Sequence, residues 1–334
     1  MNSIVCKPCF AFEALAAIVF NGSAGYGGVR SHIDIVKELF EKHFLNVIIT
    51  PSNSYFDLFT SNYSFEEIEK LDLKGFIEDY SRCIKGNEFE DQFIKGFKIL
   101  EDMNFTHIWD EYTLPFLQKQ CDTYNAILKN EQTLSVLADV QKLKPFEKID
   151  NVTIYQTYFA YPVSFYLSPT SYLTNHHSED ENDIDLKGVL RMFAHELIHC
   201  FSSDELRIMY RQTSENDDFL SKSRYVLFNK KGSPSDEEEF VVALEHFISY
   251  RNNLISKEEA ELSLFNYYEH CMPLAIIVFN ELVKCGKIPI DINAWILDLF
   301  TSGIIKAGEI ESKVNQILSG YSTKFFEVWI DELE

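Results

Sequence analysis

The chain has 334 residues, 46% of them hydrophobic, and a formal charge of −22 from 30 basic and 52 acidic side chains. That length and apolar content are enough for a sizeable core in one or two domains, while the charge repels nucleic-acid phosphates and anionic lipid. Seven cysteines, at positions 6, 9, 83, 121, 200, 271 and 285, are an odd number without framework spacing and point to a reducing, cytoplasmic setting.

At the N-terminus, Phe10 to Phe20 is apolar but interrupted by Glu13, is preceded only by Lys7 and lacks a small-residue cleavage site, so an export signal is not expected. No run of eighteen apolar residues occurs, and no membrane span is expected. Cys6-Lys7-Pro8-Cys9 is a lone CxxC without a second pair, so it is not assigned a metal or redox role. The glycines of residues 22–28 lack the Gly-Lys-Ser/Thr ending of a phosphate loop and read as a turn. Segments 31–44, 65–81, 89–103, 107–129 and 131–142 carry apolar residues at helical steps, broken at Pro51-Ser52-Asn53 and Lys144-Pro145. Residues 1–150 are therefore read as a mainly helical N-terminal region.

The character changes at 151–167. Val152 to Phe159 and Val163 to Leu167 are rich in β-branched and aromatic residues around Ala160-Tyr161-Pro162, the pattern of a β-hairpin. His176-His177 and the acidic run of residues 178–183 read as surface loop.

The most informative stretch follows. Leu186, Val189, Leu190, Phe193, Ala194, Leu197, Ile198 and Phe201 form the apolar stripe of a core helix, with Asp183 or Asp185 as its cap. On it lies His195-Glu196-Leu197-Ile198-His199. Two imidazoles one helical turn apart project from one face and can share a divalent ion. Neutral imidazole suits zinc, whose catalytic sites take three protein ligands and leave a fourth position for water. The ion lowers the pKa of that water to near 7, and Glu196 is placed to accept its proton as general base. A chance match to two His and one Glu at fixed spacing in a chain with nine histidines is on the order of 1 in 100 by average residue usage. Metal binding is therefore favoured over an ordinary helix with hydrogen-bonded histidines.

The third ligand must come from elsewhere. A metzincin-like continuation would need Gly at 202 and His or Asp at 205, where the chain has Ser202 and Glu205. A second helix is read over residues 236–248, capped by Ser235 or Asp236, with acids in the turn that faces the positive end of its dipole. Val242, Ala243 and His246 lie three, four and seven residues after Glu239, a face of small side chains where two helices could approach. Glu239 is the favoured ligand, with Glu238 and Glu245 as alternatives. Between the helices, residues 222–234 form a basic patch ending in turn formers, read as a hairpin or flap. Tyr210, Tyr225 and His246 are candidate oxyanion donors by position alone. Residues 256–284, 290–302 and 307–333 return to helical periodicity.

His195-Glu196-x-x-His199 followed by Glu239-Phe240-Val241-Val242 resembles the gluzincin metallopeptidases, and most closely an uncharacterised bacterial domain in which HExxH precedes an Asn-Glu-aromatic-aliphatic-Val segment. Glu238 replaces the Asn, and Glu13 to Phe20 is similar to the Glu-Leu-Leu-x-Ile-Ile-Phe helix with which that family begins. A departure is the gap of 40 positions from His199 to Glu239, longer than in compact gluzincins. The resemblance spans about residues 10–250 and implies a zinc peptidase fold with His195, His199 and Glu239 as metal ligands and Glu196 as base. The expected protein is thus α+β and mainly α, with residues 151–334 forming a zincin-like catalytic region that includes a small sheet. The expected activity is Zn2+-dependent hydrolysis of peptide or protein substrates. A noncatalytic peptide-binding or sensor module on that scaffold, and hydrolysis of a nonpeptide amide, are the alternatives.

Overall fold

A computed structural model describes residues 3–21, 38, 42–44, 46–49, 52, 54–144, 149, 151–159, 164–174, 186–229, 236–267, 271–319 and 321. It is mainly helical with a small mixed sheet. The glycine cluster, most of segment 31–44, the turn at 160–162, His176-His177, the acidic run 178–183, Ser235 and the stretches 230–234 and 322–334 lie outside the described residues. The chain divides into two units, Met1–Lys129 with Asp150–Ile184, and Asn130–Ile149 with Asp185–Glu334. This differs from a single boundary at 150/151, because Asn151–Gln156 pairs with the N-terminal strand Ser3–Pro8 and the two strands after it join the same sheet.

In the first unit, β1 (Ser3–Pro8) runs parallel to β2 (Asn151–Gln156), which is parallel to β4 (Ser171–Thr174), and β3 (Ser164–Ser168) pairs antiparallel with β4. The sheet order is β1-β2-β4-β3. The hairpin expected between β2 and β3 is therefore corrected: β3 turns through Pro169-Thr170 onto β4, and β4 enters the sheet beside β2. Helices α1 (Phe10–Asn21), α2 (Ser54–Asn62), α3 (Phe65–Ile68), α4 (Leu73–Cys83), α5 (Glu90–Asp102), α6 (Phe105–Ile108) and α7 (Leu114–Ile127) complete the unit, with a π-helical turn over Trp109–Thr113. The expected helix 65–81 starts at a capping box of Ser64 and Glu67 but is split after Ile68, where Asp72 caps a second helix by accepting from the Gly75 amide. The core is aromatic, with Phe12 against Tyr155 at 4.9 Å, Phe59 against Tyr80 at 5.1 Å and Phe20 stacked on Phe165 at 5.5 Å.

In the second unit, α8 (Glu131–Leu143), α9 (Leu186–Ile198), α13 (Lys257–Asn266) and α14 (Pro273–Cys285) pack around α12 (Glu238–Arg251). Every residue of α12 from Glu238 to Ser249 is buried. Helices α10 (Asp204–Glu215), α11 (Asp218–Asn229), α15 (Ile292–Thr301) and α16 (Ile310–Leu318) complete this unit. Residues 222–229 thus belong to a helix, which corrects the flap expected there. Among the described residues no helix is long and apolar enough to cross a membrane.

Candidate metal centre

Helix α9 forms because its apolar stripe buries Val189, Leu190, Phe193, Ala194, Leu197 and Ile198, leaving His195 and His199 at the border of that face. Its last residue is Ile198, directly before the second histidine. Cys200 takes φ +63°, the left-handed conformation that ends helices, and its amide donates to Glu237 Oε1 at 2.8 Å. Cys200 is exposed rather than packed.

The two rings stand nearly perpendicular, at 78°, with their Nε2 atoms 3.2 Å apart. Glu238 closes the group: Oε1 is 3.6 Å from His195 Nε2 and Oε2 is 3.8 Å from His199 Nε2. One ligand atom from each of these three residues lies within 4.8 Å of the others. Two nitrogens bound to one tetrahedral zinc ion lie about 3.4 Å apart, so the separation of the rings suits a shared ion. Two imidazole nitrogens with one carboxylate oxygen are also a donor set that zinc accepts.

Glu237 supports the arrangement from behind. His199 Nδ1 lies 3.2 Å from Glu237 Oε1, and because a carboxylate only accepts, the proton sits on Nδ1 and Nε2 points at His195. Glu237 Oε2 accepts from Ser202 Oγ at 2.5 Å and lies 3.5 Å from an Arg207 guanidinium nitrogen. Burial raises the Glu237 pKa, but its hydrogen bonds from His199, Ser202 and the Cys200 amide prevail and hold it at about 2. Burial works against the charged His199 ring, yet the bond to Glu237 and the nearby Glu238 and Glu196 carboxylates carry its pKa up to about 9. Burial lowers the pKa of His195, with Glu238 opposing the shift.

Glu196 is 5% exposed. Burial raises its pKa to about 7, with His199 lowering it and Glu238 raising it. A carboxyl poised near neutrality beside two imidazoles has the protonation behaviour of a general base and acid.

Glu239 does not join the histidines. Its carboxylate is 1% exposed and accepts from Tyr210 Oη at 3.0 Å, from the Leu274 amide at 2.6 Å and from the Ala275 amide at 3.3 Å. It thereby caps the start of α14, satisfying amides that have no partner within that helix. Successive residues on a helix point about 100° apart, so when Glu238 faces α9 its neighbour faces elsewhere. The favoured position of Glu239 is therefore corrected: the carboxylate beside the two rings is that of the alternative, Glu238.

Glu245, the remaining alternative, lies two helical turns beyond Glu238 and is engaged by Arg191. Arg191 Nε donates to its Oε1 at 2.7 Å, and an Arg191 NH2 group lies 2.8 Å from His246 Nε2. His246 Nε2 is also 2.9 Å from Ser263 Oγ, and Nδ1 is 2.8 Å from the Val242 carbonyl. Arg191 precedes His195 by four residues, so this network braces α9 against α12 beside the centre. Burial pushes the Glu245 pKa up, but His246 and Arg191 outweigh it and hold it at about 2. Tyr210 and His246 are thus committed to partners, and Tyr225 is 58% exposed. Sequence reasoning missed the roles of Glu237 and Arg191. The spacing of Arg191 from His195 was a usable signal; nothing in the acidic run separated Glu237 from its neighbours. Asp236, read as a cap, instead pairs with Arg211 and Arg224.

The chain matches no protein-family model, no curated protein and no solved structure.

Proposed function

We propose that this protein is a zinc-dependent metallohydrolase of the gluzincin kind that cleaves peptide bonds, with His195, His199 and Glu238 holding the metal and Glu196 as general base. The observation that carries this reading is the facing pair of Nε2 atoms at 3.2 Å with the Glu238 carboxylate beside both. When bound, zinc supplies a Lewis acid that acidifies water and polarises a carbonyl oxygen. Glu196, with its pKa near 7, takes a proton from the attacking water on a carboxylate oxygen and returns it to the departing amine nitrogen. Glu237 keeps the His199 ring turned and its Nε2 available for the ion.

The test is a zinc-to-protein ratio and turnover of a peptide library for the native chain, Glu196→Gln, Glu238→Gln and Glu239→Gln. The expected result is one zinc per chain in the native protein, E196Q and E239Q, loss of zinc in E238Q, and a fall in turnover of roughly 10²–10⁴-fold in E196Q. Zinc retained by E238Q would remove the assigned ligand. Zinc bound with turnover unchanged in E196Q would remove the assigned base, and zinc bound without any turnover in the native chain would leave a peptide-binding module.

A further inference from the structure

We propose that Cys6 and Cys121 are a reversible disulfide site, a redox modification carried by the first unit and independent of the metal reading. Cys6 lies on β1 and Cys121 on α7, 115 positions apart, and their sulfurs stand 3.4 Å apart with Cys6 Sγ donating to Cys121 Sγ. A disulfide requires about 2.05 Å between sulfurs, so the two atoms, already in contact, have to approach by little more than an ångström.

The approach is held from outside the pair. Asn125, one helical turn after Cys121, accepts from the Cys6 amide at 2.7 Å and donates to the Cys6 carbonyl at 2.8 Å. It thereby satisfies backbone groups on the edge of β1 that faces away from β2, and fixes the strand to α7 at the register that brings the sulfurs together. Burial raises the Cys6 pKa and the neighbouring Cys121 adds to it, so the closed pair is held as thiols and the attacking thiolate forms only when the site opens to water. Cys9, the other half of the CxxC, is occupied elsewhere, accepting from the Ala11 and Phe12 amides at the start of α1. The spacing that draws attention in the sequence is therefore misleading; the partner of Cys6 comes from a helix more than a hundred residues away.

With hydrogen peroxide as oxidant, the sulfur of one cysteine attacks a peroxide oxygen, the O–O bond breaks and a sulfenic acid and water form. The sulfur of the second cysteine then attacks the first, the S–O bond breaks and a second water leaves. Two thiol protons and two electrons pass to the peroxide, and one S–S bond replaces two S–H bonds. Cys6 is 2% exposed and Cys121 is fully buried, so the oxidant gains access when the edge strand opens locally. Dithiothreitol reverses the bond by thiol–disulfide exchange.

The experiment treats the full chain with hydrogen peroxide, blocks remaining thiols with N-ethylmaleimide and maps unreduced peptides by mass spectrometry. The expected result is a linked pair of peptides containing Cys6 and Cys121, lighter than their sum by two hydrogens and separated by dithiothreitol. The link disappears in Cys121→Ser and persists in Cys83→Ser. Closing so long a loop also raises the melting temperature of the oxidised native chain by several degrees. Recovery of Cys6 and Cys121 unlinked, of Cys6 joined to Cys9, or of either as a sulfinic acid overturns the proposal. Should C121S fold poorly, the native peptide map and its thermal shift decide alone.

Discussion

Glu237, Glu238 and Glu239 stand side by side, yet each carboxylate answers to a different partner: a ring Nδ1, the space between two rings, and the amides that open another helix. On the proposed zinc reading Glu237 acts only through His199, so Glu237→Gln should still bind zinc but more weakly, by roughly 10–100-fold in a chelator competition. The pH dependence follows from the same pair. In the metal-free protein the His199 pKa is raised from 6.5 to about 9, so near neutrality zinc must displace a proton. Zinc affinity should climb about tenfold per pH unit between pH 7 and 9 and then level off, as measured by calorimetric titration in buffers of different ionisation enthalpy. Stability of the metal-free chain follows a matching rule. The contribution of His199 is complete below pH 6.5 and lost as pH rises through about 9, and that of Glu237 is complete above pH 4.5 and lost as pH falls through about 2. The pair therefore supports the fold most between pH 4.5 and 6.5.

Helices with a solvated side were legible, because burial on one face leaves a 3.6-residue period in the sequence. Segments 89–103 and 131–142 correspond closely to Glu90–Asp102 and Glu131–Leu143. Helix α12 was found but could not be read for orientation, since it is buried on all sides and offers no polar face to count from. That is why HExxH could single out His195, Glu196 and His199 as candidates while the choice among Glu238, Glu239 and Glu245 required three dimensions. The strand Ser3–Pro8 was missed because its partner is 148 positions away, Ser3 pairing with Asn151, and a short parallel strand has no local turn to announce it. Contact between α1 and α5 is equally nonlocal. A Cβ on Gly96 would lie 2.8 Å from Ile18 Cγ2, closer than packed side chains tolerate. Gly96→Ala should therefore destabilise the first unit by about 1–3 kcal/mol in urea titration, and Ile18→Ala, which removes every carbon that the new Cβ would meet, should cost less in the Gly96→Ala background than in the native chain. An unchanged midpoint would mean that the two helices can separate without penalty.

At the scale of the molecule, charge dominates what composition could say. A net charge of −22 loads the chain with mutual repulsion. Raising sodium chloride from about 0.05 to 0.5 M shortens the screening length to a few ångströms and should raise the melting temperature. A melting temperature that falls with salt would indicate that ion pairs such as Lys7–Glu69 and Arg251–Asp139 outweigh the repulsion. Composition could not reveal how the chain is apportioned. The first unit takes residues 150–184 and the second takes 130–149, an exchange that follows from strand pairing and from the packing of α8 with α9 and α12.

The neighbouring duties of Glu238 and Glu239 also set how this chain can evolve. A residue gained or lost inside Glu238–Arg251 would rotate everything beyond it by about 100°, separating Glu238 from the brace at Glu245 and His246. Drift in length should therefore accumulate ahead of residue 236, whereas the fourteen positions of the helix should be inherited as an indivisible block.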